Sequence, residues 1–179
     1  MKAYYYWIAL IVIALDQIVK QVIAARVELH EQISVIGNFF LITHILNPGA
    51  AFGILQGASV FFIIVTTIVV SGIIWFMERN KRTGSKLMLT GLGLVLGGAI
   101  GNFIDRLLHG EVVDFLQFNF GSYTFPIFNL ADSGIVCGVG LILLDAILTK
   151  EAPAAVSEQD GEVHNHGSES LASSDKPVN

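Results

Sequence analysis

The chain has 179 residues, 53% of them hydrophobic and only 14% charged, whereas an ordinary soluble domain carries about 25% charged residues. Residues 1–149 hold nine acids and eight bases, and the stretch from Lys150 onward holds six acids and two lysines, so the net charge of −5 belongs mostly to that stretch. A near-neutral body without a basic face excludes a nucleic-acid binder, and the single cysteine, Cys137, excludes a disulfide framework or a CxxC metal pair.

A bilayer core about 30 Å thick is crossed by about 20 apolar helical residues, and four segments qualify. The first runs from about Tyr4 to Ile23 and carries Asp16, Gln17 and Lys20. Lys2 and the apolar run to Leu15 suit a signal peptide, but Asp-Gln-Ile-Val-Lys follows without a small-x-small cleavage site, so a retained span is expected. Asp16 and Lys20 are four apart and share a helical face. They are read either as a self-neutralising pair or as part of a polar pocket.

Residues 32–46 (QISVIGNFFLITHIL) are β-branched and aromatic around Gly37-Asn38 and predict two short strands. Asn47-Pro48-Gly49 then predicts a turn, in which Asn47 either binds substrate backbone or closes the turn itself. The second span, about 58–77, has no charge. The loop after it, ERNKRTGSK, contains Arg79, Lys81, Arg82 and Lys86, against one basic residue in each of the other connections, Arg26 and Arg106. The positive-inside rule makes this loop cytoplasmic, with both termini inside and the other two loops outside. Trp75 and the aromatics from Tyr4 to Trp7 then form the cytoplasmic interfacial belt.

The third span, about Leu87 to Leu108, repeats glycine at 93, 97 and 101. Such a stripe lets a neighbour or a ligand approach closely, and is expected to offer a groove for substrate. Asn102 and Arg106 lie one turn apart near the outer end. Arg106 either anchors a carbonyl or carboxylate or snorkels to the interface. Residues 111–128 alternate around Gly121-Ser122 and read as strands, so a small apolar β-layer on the outer leaflet is expected, with loops packed over the helix ends as the alternative.

The fourth span, about Leu130 to Leu148, has Asp132 in its first turn, capped by Asn129, and Asp145 at its interfacial far end. Asp114 and Asp132 both fall at the outer surface. If they converge, burial and mutual repulsion make them share a proton, so that one activates water while the other polarises a carbonyl. An ordinary helix-start acid and an exposed strand residue are the plainer readings of the same two positions. His44 and His109 are taken as structural or solvated, and no carboxylate–histidine spacing suggests zinc. Residues 150–179, acidic and without aromatics, are expected to be a disordered cytoplasmic tail beside a 1–149 membrane domain; His164 and His166 there are weak metal ligands.

A proton-coupled transporter would spread its acids through the membrane depth, whereas these cluster at one end, Asp145 excepted. A scaffold would tolerate neutralised aspartates.

Five blocks, LDQIVK (15–20), NPGAAFG (47–53), GGAIGNFIDR (97–106), VVDF (112–115) and FNLAD (128–132), occur in the order found in bacterial lipoprotein signal peptidase, or signal peptidase II, which this chain resembles over about residues 4–148. The resemblance implies an aspartic endopeptidase of the cytoplasmic (inner) membrane, with four transmembrane helices and its active site at the outer face. Its substrates would be prolipoproteins cut just before a diacylglyceryl-modified cysteine. It assigns Asp114 and Asp132 as the catalytic dyad and Asp16, Lys20, Asn47, Asn102, Arg106 and Asn129 as substrate-binding or supporting. Membrane lipid and the peptide antibiotic globomycin are implied partners, with no metal or organic cofactor.

Overall fold

The computed structural model describes residues 3–49 and 57–150. The acidic extension after Lys150, with its two histidines, lies outside the described residues.

In chain order the elements are α1 (Tyr4–Arg26), β1 (Gln32–Ile36), β2 (Phe40–Asn47), α2 (Ser59–Asn80), α3 (Lys86–His109), β3 (Val112–Phe120), β4 (Tyr123–Thr124) and α4 (Leu130–Lys150). All four helices are long and apolar enough to cross a membrane. On α1, α2 and α4 many of the apolar side chains lie open to the surroundings, as lipid-facing helices require, whereas α3 is largely covered. The exposed residues include Cys137.

α3 is the hub and packs against α1, α2 and α4. Glycine makes this possible on two faces. A Cβ on Gly93 would meet the Tyr5 carbonyl oxygen at 2.6 Å, and one on Gly97 the Ala9 carbonyl oxygen at 2.8 Å, both on α1. On the other face a Cβ on Gly91 would meet the Gly138 carbonyl oxygen of α4 at 2.6 Å. The expected substrate groove is therefore absent. The stripe at 93, 97 and 101 is filled by α1 because a helix without side chains there lets a neighbouring backbone into van der Waals contact. Tyr5, Ala9, Met77, Leu89, Leu92 and Leu96 form the core beside it. α2 is peripheral, and Met77 is its fully buried residue among those described.

The α2–α3 loop closes with Ser85 capping α3, its Oγ accepting the Met88 N–H at 3.0 Å. Tyr4 and Tyr6 reach this end of the bundle, donating to the Lys86 carbonyl at 3.1 Å and to Glu78 at 2.8 Å. Arg79 lies over Trp75 at 5.4 Å from the ring centroid.

The opposite end carries a four-stranded sheet in the order β1-β2-β3-β4, every neighbouring pair antiparallel; the β1–β2 and β3–β4 hairpins turn at the predicted Gly37-Asn38 and Gly121-Ser122, and β3 joins β2 after the two intervening helices. It realises the β-layer of the sequence reading. Phe115 of this sheet packs with Ile23 and Val27 at the end of α1, and with Leu130 at the start of α4, which fixes the sheet to the bundle. A register shift between Ile42 and Ile45 breaks the alternation of β2, so that Thr43 and His44 are both buried. His44 Nδ1 lies 2.9 Å from the Val27 carbonyl oxygen, tying the bulge to α1. Along β1, by contrast, every residue is exposed, with Ile33, Val35 and Ile36 presenting apolar side chains.

Candidate active site

The site lies where the C-terminal halves of α1 and α3 meet the start of α4 and the sheet. Five elements, α1, β2, α3, β3 and α4, deliver polar side chains to it; Asp16, Lys20, Asn102, Asp105, Asp114 and Asn129 are buried, and Asn47, Arg106 and Asp132 are half-buried.

Asp114 comes from β3, opposite Ile45 of β2. It is 3% exposed, so the reading of an exposed strand residue does not hold. One carboxylate oxygen accepts Asn47 Nδ2 at 2.8 Å, and the other accepts Asn129 Nδ2 at 2.7 Å. Burial lifts the Asp114 carboxyl to about 6 against an ordinary 3.8; the hydrogen bond from Asn47 opposes this, the charge of Asp132 adds to it, and Asn129 and Lys20 oppose it.

Asp132 comes from the first turn of α4. Asn129 caps this helix as expected, its Oδ1 accepting the Asp132 N–H at 3.0 Å, while Asp132 Oδ2 accepts the Asn129 N–H at 3.3 Å. The two residues form a reciprocal capping box with aspartate in the place usually held by glutamate. The remaining oxygen, Oδ1, accepts Asn102 Nδ2 at 2.7 Å.

Asp114 and Asp132 line one cavity of about 280 Å³, with Asn47, Asn102 and Arg106 as its other polar residues and Val112, Phe128 and Ile135 among its apolar ones. A pocket with few convergent polar groups in an apolar wall, one of them a carboxyl titrating near neutrality, has the character of an active site.

The remaining expected residues also gather here. Asn47 does more than either alternative allowed: its Oδ1 accepts the Gly49 N–H at 3.0 Å and closes the turn, while its amide holds Asp114. Arg106 does not snorkel. Its guanidinium donates to the Gly49 carbonyl at 3.0 Å and lies 4.9 Å from the centroid of Phe62 on α2, at the edge of the cavity. Asp16 and Lys20 form the self-neutralising pair and do not line the cavity, although Lys20 contacts Asn102, which does. They pair at 2.8 Å, fully buried, and Lys20 also donates to Asn102 Oδ1 at 2.9 Å. Asp16 Oδ1 accepts the Ala131 N–H at 2.9 Å, docking the start of α4 onto α1.

Two residues without an expected role belong to the same network. Lys20 makes a second ion pair with Asp105 at 2.8 Å, and Gln17 Nε2 donates to Asp105 at 2.8 Å. The signal for Asp105 was present, since it continues the four-residue spacing of Gly93, Gly97 and Gly101 by one more step and so faces α1. Asp145 and Ser85 pair at the far end of the bundle, away from the site. Among the described residues, no group of three or more His, Cys, Asp or Glu is placed to hold a metal ion.

The family model for signal peptidase II (SPase II) matches residues 8–148. The chain is 52% identical over 143 residues to the lipoprotein signal peptidase of Shouchella clausii, a match covering 80% of this chain and 92% of that one. It is 46% identical over 144 residues to the lipoprotein signal peptidase of Bacillus subtilis, covering 80% and 93%. A bacterial membrane enzyme solved by the in meso method at 2.3 Å resolution superposes with a TM-score of 0.76 at 38% identity, covering 89% of this chain and 93% of that one. A second, solved at 1.9 Å, gives a TM-score of 0.73 at 40% identity, covering 80% and 92%. Sequence, spans and fold agree, and the chain belongs to the signal peptidase II family of bacterial membrane peptidases, whose activity is the removal of signal peptides from prolipoproteins.

Proposed function

We propose that Asp114 and Asp132 are the catalytic dyad of this aspartic peptidase. The supporting observation is that both carboxylates border one cavity and that one residue, Asn129, hydrogen-bonds to both of them. Burial favours the proton on Asp114, so in the cycle Asp114 enters as the acid and Asp132 as the base. Asp132 takes a proton from a water as its oxygen bonds to the scissile carbonyl carbon. Asp114 gives its proton to the carbonyl oxygen, and a neutral gem-diol results. The proton on Asp132 then passes to the amide nitrogen as the C–N bond breaks, and a gem-diol proton returns to Asp114. The products are a new amine and a new carboxyl group, with no covalent enzyme intermediate.

The substrate is a prolipoprotein bearing a diacylglyceryl cysteine, cut just before that cysteine. Asn47, Asn102 and Asn129 hold the carboxylates, Arg106 fixes the 47–49 turn, and Asp16 and Lys20 support the site from α1. The four basic residues in and flanking the α2–α3 loop, Arg79, Lys81, Arg82 and Lys86, support a cytoplasmic placement for that end, with the dyad at the outer face. The exposed apolar edge at Ile33, Val35, Ile36 and Phe39 suits a sheet resting on lipid. A peptide antibiotic such as globomycin would occupy the cavity in competition with substrate.

The test uses purified protein in detergent with a diacylglyceryl-modified prolipoprotein. Asp114→Asn and Asp132→Asn should each lower kcat by about 1,000-fold or more while remaining folded. Wild-type turnover by either variant would refute the dyad.

A further inference from the structure

Asp105 is only 4% exposed, yet it touches neither aspartate of the dyad. Its carboxylate joins three elements. Oδ1 accepts Gln17 Nε2 of α1 at 2.8 Å, Oδ2 pairs with Lys20 Nζ of α1 at 2.8 Å, and Oδ2 also accepts the Val113 N–H of β3 at 3.4 Å. Val113 immediately precedes Asp114.

Lys20 transmits this anchorage. Its ammonium donates to Asn102 Oδ1 at 2.9 Å, and the same oxygen accepts Asn129 Nδ2 at 3.1 Å. With two donors converging on that oxygen, the Asn102 amide has one acceptable orientation, the one that aims Nδ2 at Asp132. The flipped amide would set an NH2 group against an ammonium and a carbonyl against a carboxylate. Asp16 does not make Asp105 redundant, because Asp16 Oδ1 is committed to the Ala131 N–H and Oδ2 alone faces Lys20.

We propose that Asp105, braced by Gln17, is a positioning residue for the cleavage reaction: through Lys20 and Asn102 it aims Asp132, and through Val113 it sets the strand that carries Asp114. The inference rests on the dyad reading. The charged groups around Asp114 are Asp132 of α4, Lys20 of α1, and Arg106 and Asp105 of α3. Of these, Lys20 favours the ionised form of Asp114, and it is the one that Asp105 holds in place.

The experiment compares kcat, KM and the pH profile of kcat/KM for Asp105→Asn, Asp105→Glu and Gln17→Met, in detergent with a diacylglyceryl-modified prolipoprotein. For Asp105→Asn the expected result is a 10- to 100-fold fall in kcat, roughly the effect of misplacing catalytic groups by about an ångström, with KM within about twofold. The alkaline limb should move up by about 0.5 pH unit as Lys20 swings towards Asp16. Asp105→Glu should recover part of kcat, and Gln17→Met should show a smaller shift of the same sign. A purely structural role would reduce the active fraction, scaling kcat without moving the limb. An Asp105→Asn enzyme with the wild-type limb overturns the proposal; if that variant does not fold, a wild-type limb in Gln17→Met does so. Turnover retained by Asp114→Asn or Asp132→Asn would instead sink the dyad reading, and is scored separately.

Discussion

Asn129 and Asp132 cap one another. The Asn129 side chain accepts the Asp132 N–H at 3.0 Å and the Asp132 side chain accepts the Asn129 N–H at 3.3 Å. One proposed catalytic carboxylate is thus part of the structure that starts α4. The cap and the site separate in a pair of variants, because Asn129 Nδ2 alone reaches Asp114. Asn129→Ser keeps a side-chain acceptor for the helix start and loses that donor, whereas Asn129→Ala loses both. Unfolding measurements should place Asn129→Ser about 1 kcal/mol above Asn129→Ala, while both lose kcat to a similar extent. Equal stabilities would mean that the cap contributes nothing.

Burial lifts the Asp114 carboxyl to about 6, and the neighbouring charge of Asp132 adds to that shift. If the monoprotonated pair is the active form, kcat/KM falls as pH rises through about 6. The Asn47 hydrogen bond opposes the upward shift, so Asn47→Ala should move the limb to higher pH even as it lowers the maximum. A downward move would contradict the assignment. Stability has the matching sign. Between 3.8 and about 6 the folded carboxyl keeps a proton that the unfolded chain has released. Raising the pH across that window should therefore cost about 3 kcal/mol from this group.

Lys20 is the cation shared by two buried acids, Asp16 and Asp105. Lys20→Met leaves both without it, and removing one partner of a buried ion pair costs about 3–5 kcal/mol. Lys81 makes an equally short pair with Glu78, at 2.7 Å, but on a half-exposed surface, and Lys81→Met should cost less than about 1 kcal/mol. Denaturant or thermal unfolding of the two variants checks the contrast.

Gly98 and Gly72 offer a similar contrast within the helices. A Cβ on Gly98 would run into the Ala131 carbonyl oxygen and Ile135 of α4, whereas one on Gly72 meets nothing within 4 Å. Gly98→Ala should destabilise by about 1–3 kcal/mol and also reduce kcat, since Ala131 adjoins Asp132. Gly72→Ala should be neutral or slightly stabilising. Thermal unfolding with a turnover assay separates them.

The family match ends at residue 148, and every residue assigned a role here lies between Asp16 and Asp132. Truncation after Lys150 should leave cleavage of a diacylglyceryl-modified prolipoprotein unchanged. A large fall in kcat would give the acidic extension a catalytic contribution.

Length and apolarity made the four spans legible, because a bilayer permits little else, and alternation around Gly37 and Gly121 exposed the sheet. The chemistry of single positions was harder to read. Two aspartates eighteen residues apart could be assigned to one surface by topology. Their convergence depends on Asn129 and Asn102 reaching across elements, which spacing does not reveal. The glycine stripe misled because periodicity shows that something approaches closely, not whether it is a helix of the same chain or a ligand. Asp105 was overlooked for a related reason: its partners, Lys20 and Gln17, lie more than eighty residues earlier.

The placement of Lys20 also bears on how the chain enters the bilayer. α1 carries its own counter-ion pair, Asp16 with Lys20, so it can partition into lipid without an unmatched charge. α3 cannot, since Asp105 finds its buried cation on α1. Of these two spans, α1 is therefore the one able to stand alone in the membrane, and α3 acquires a neutral interior only by docking against it. Charge compensation thus follows chain order from α1 to α3, and the start of α4 docks onto the same pair through the Ala131 N–H and Asp16.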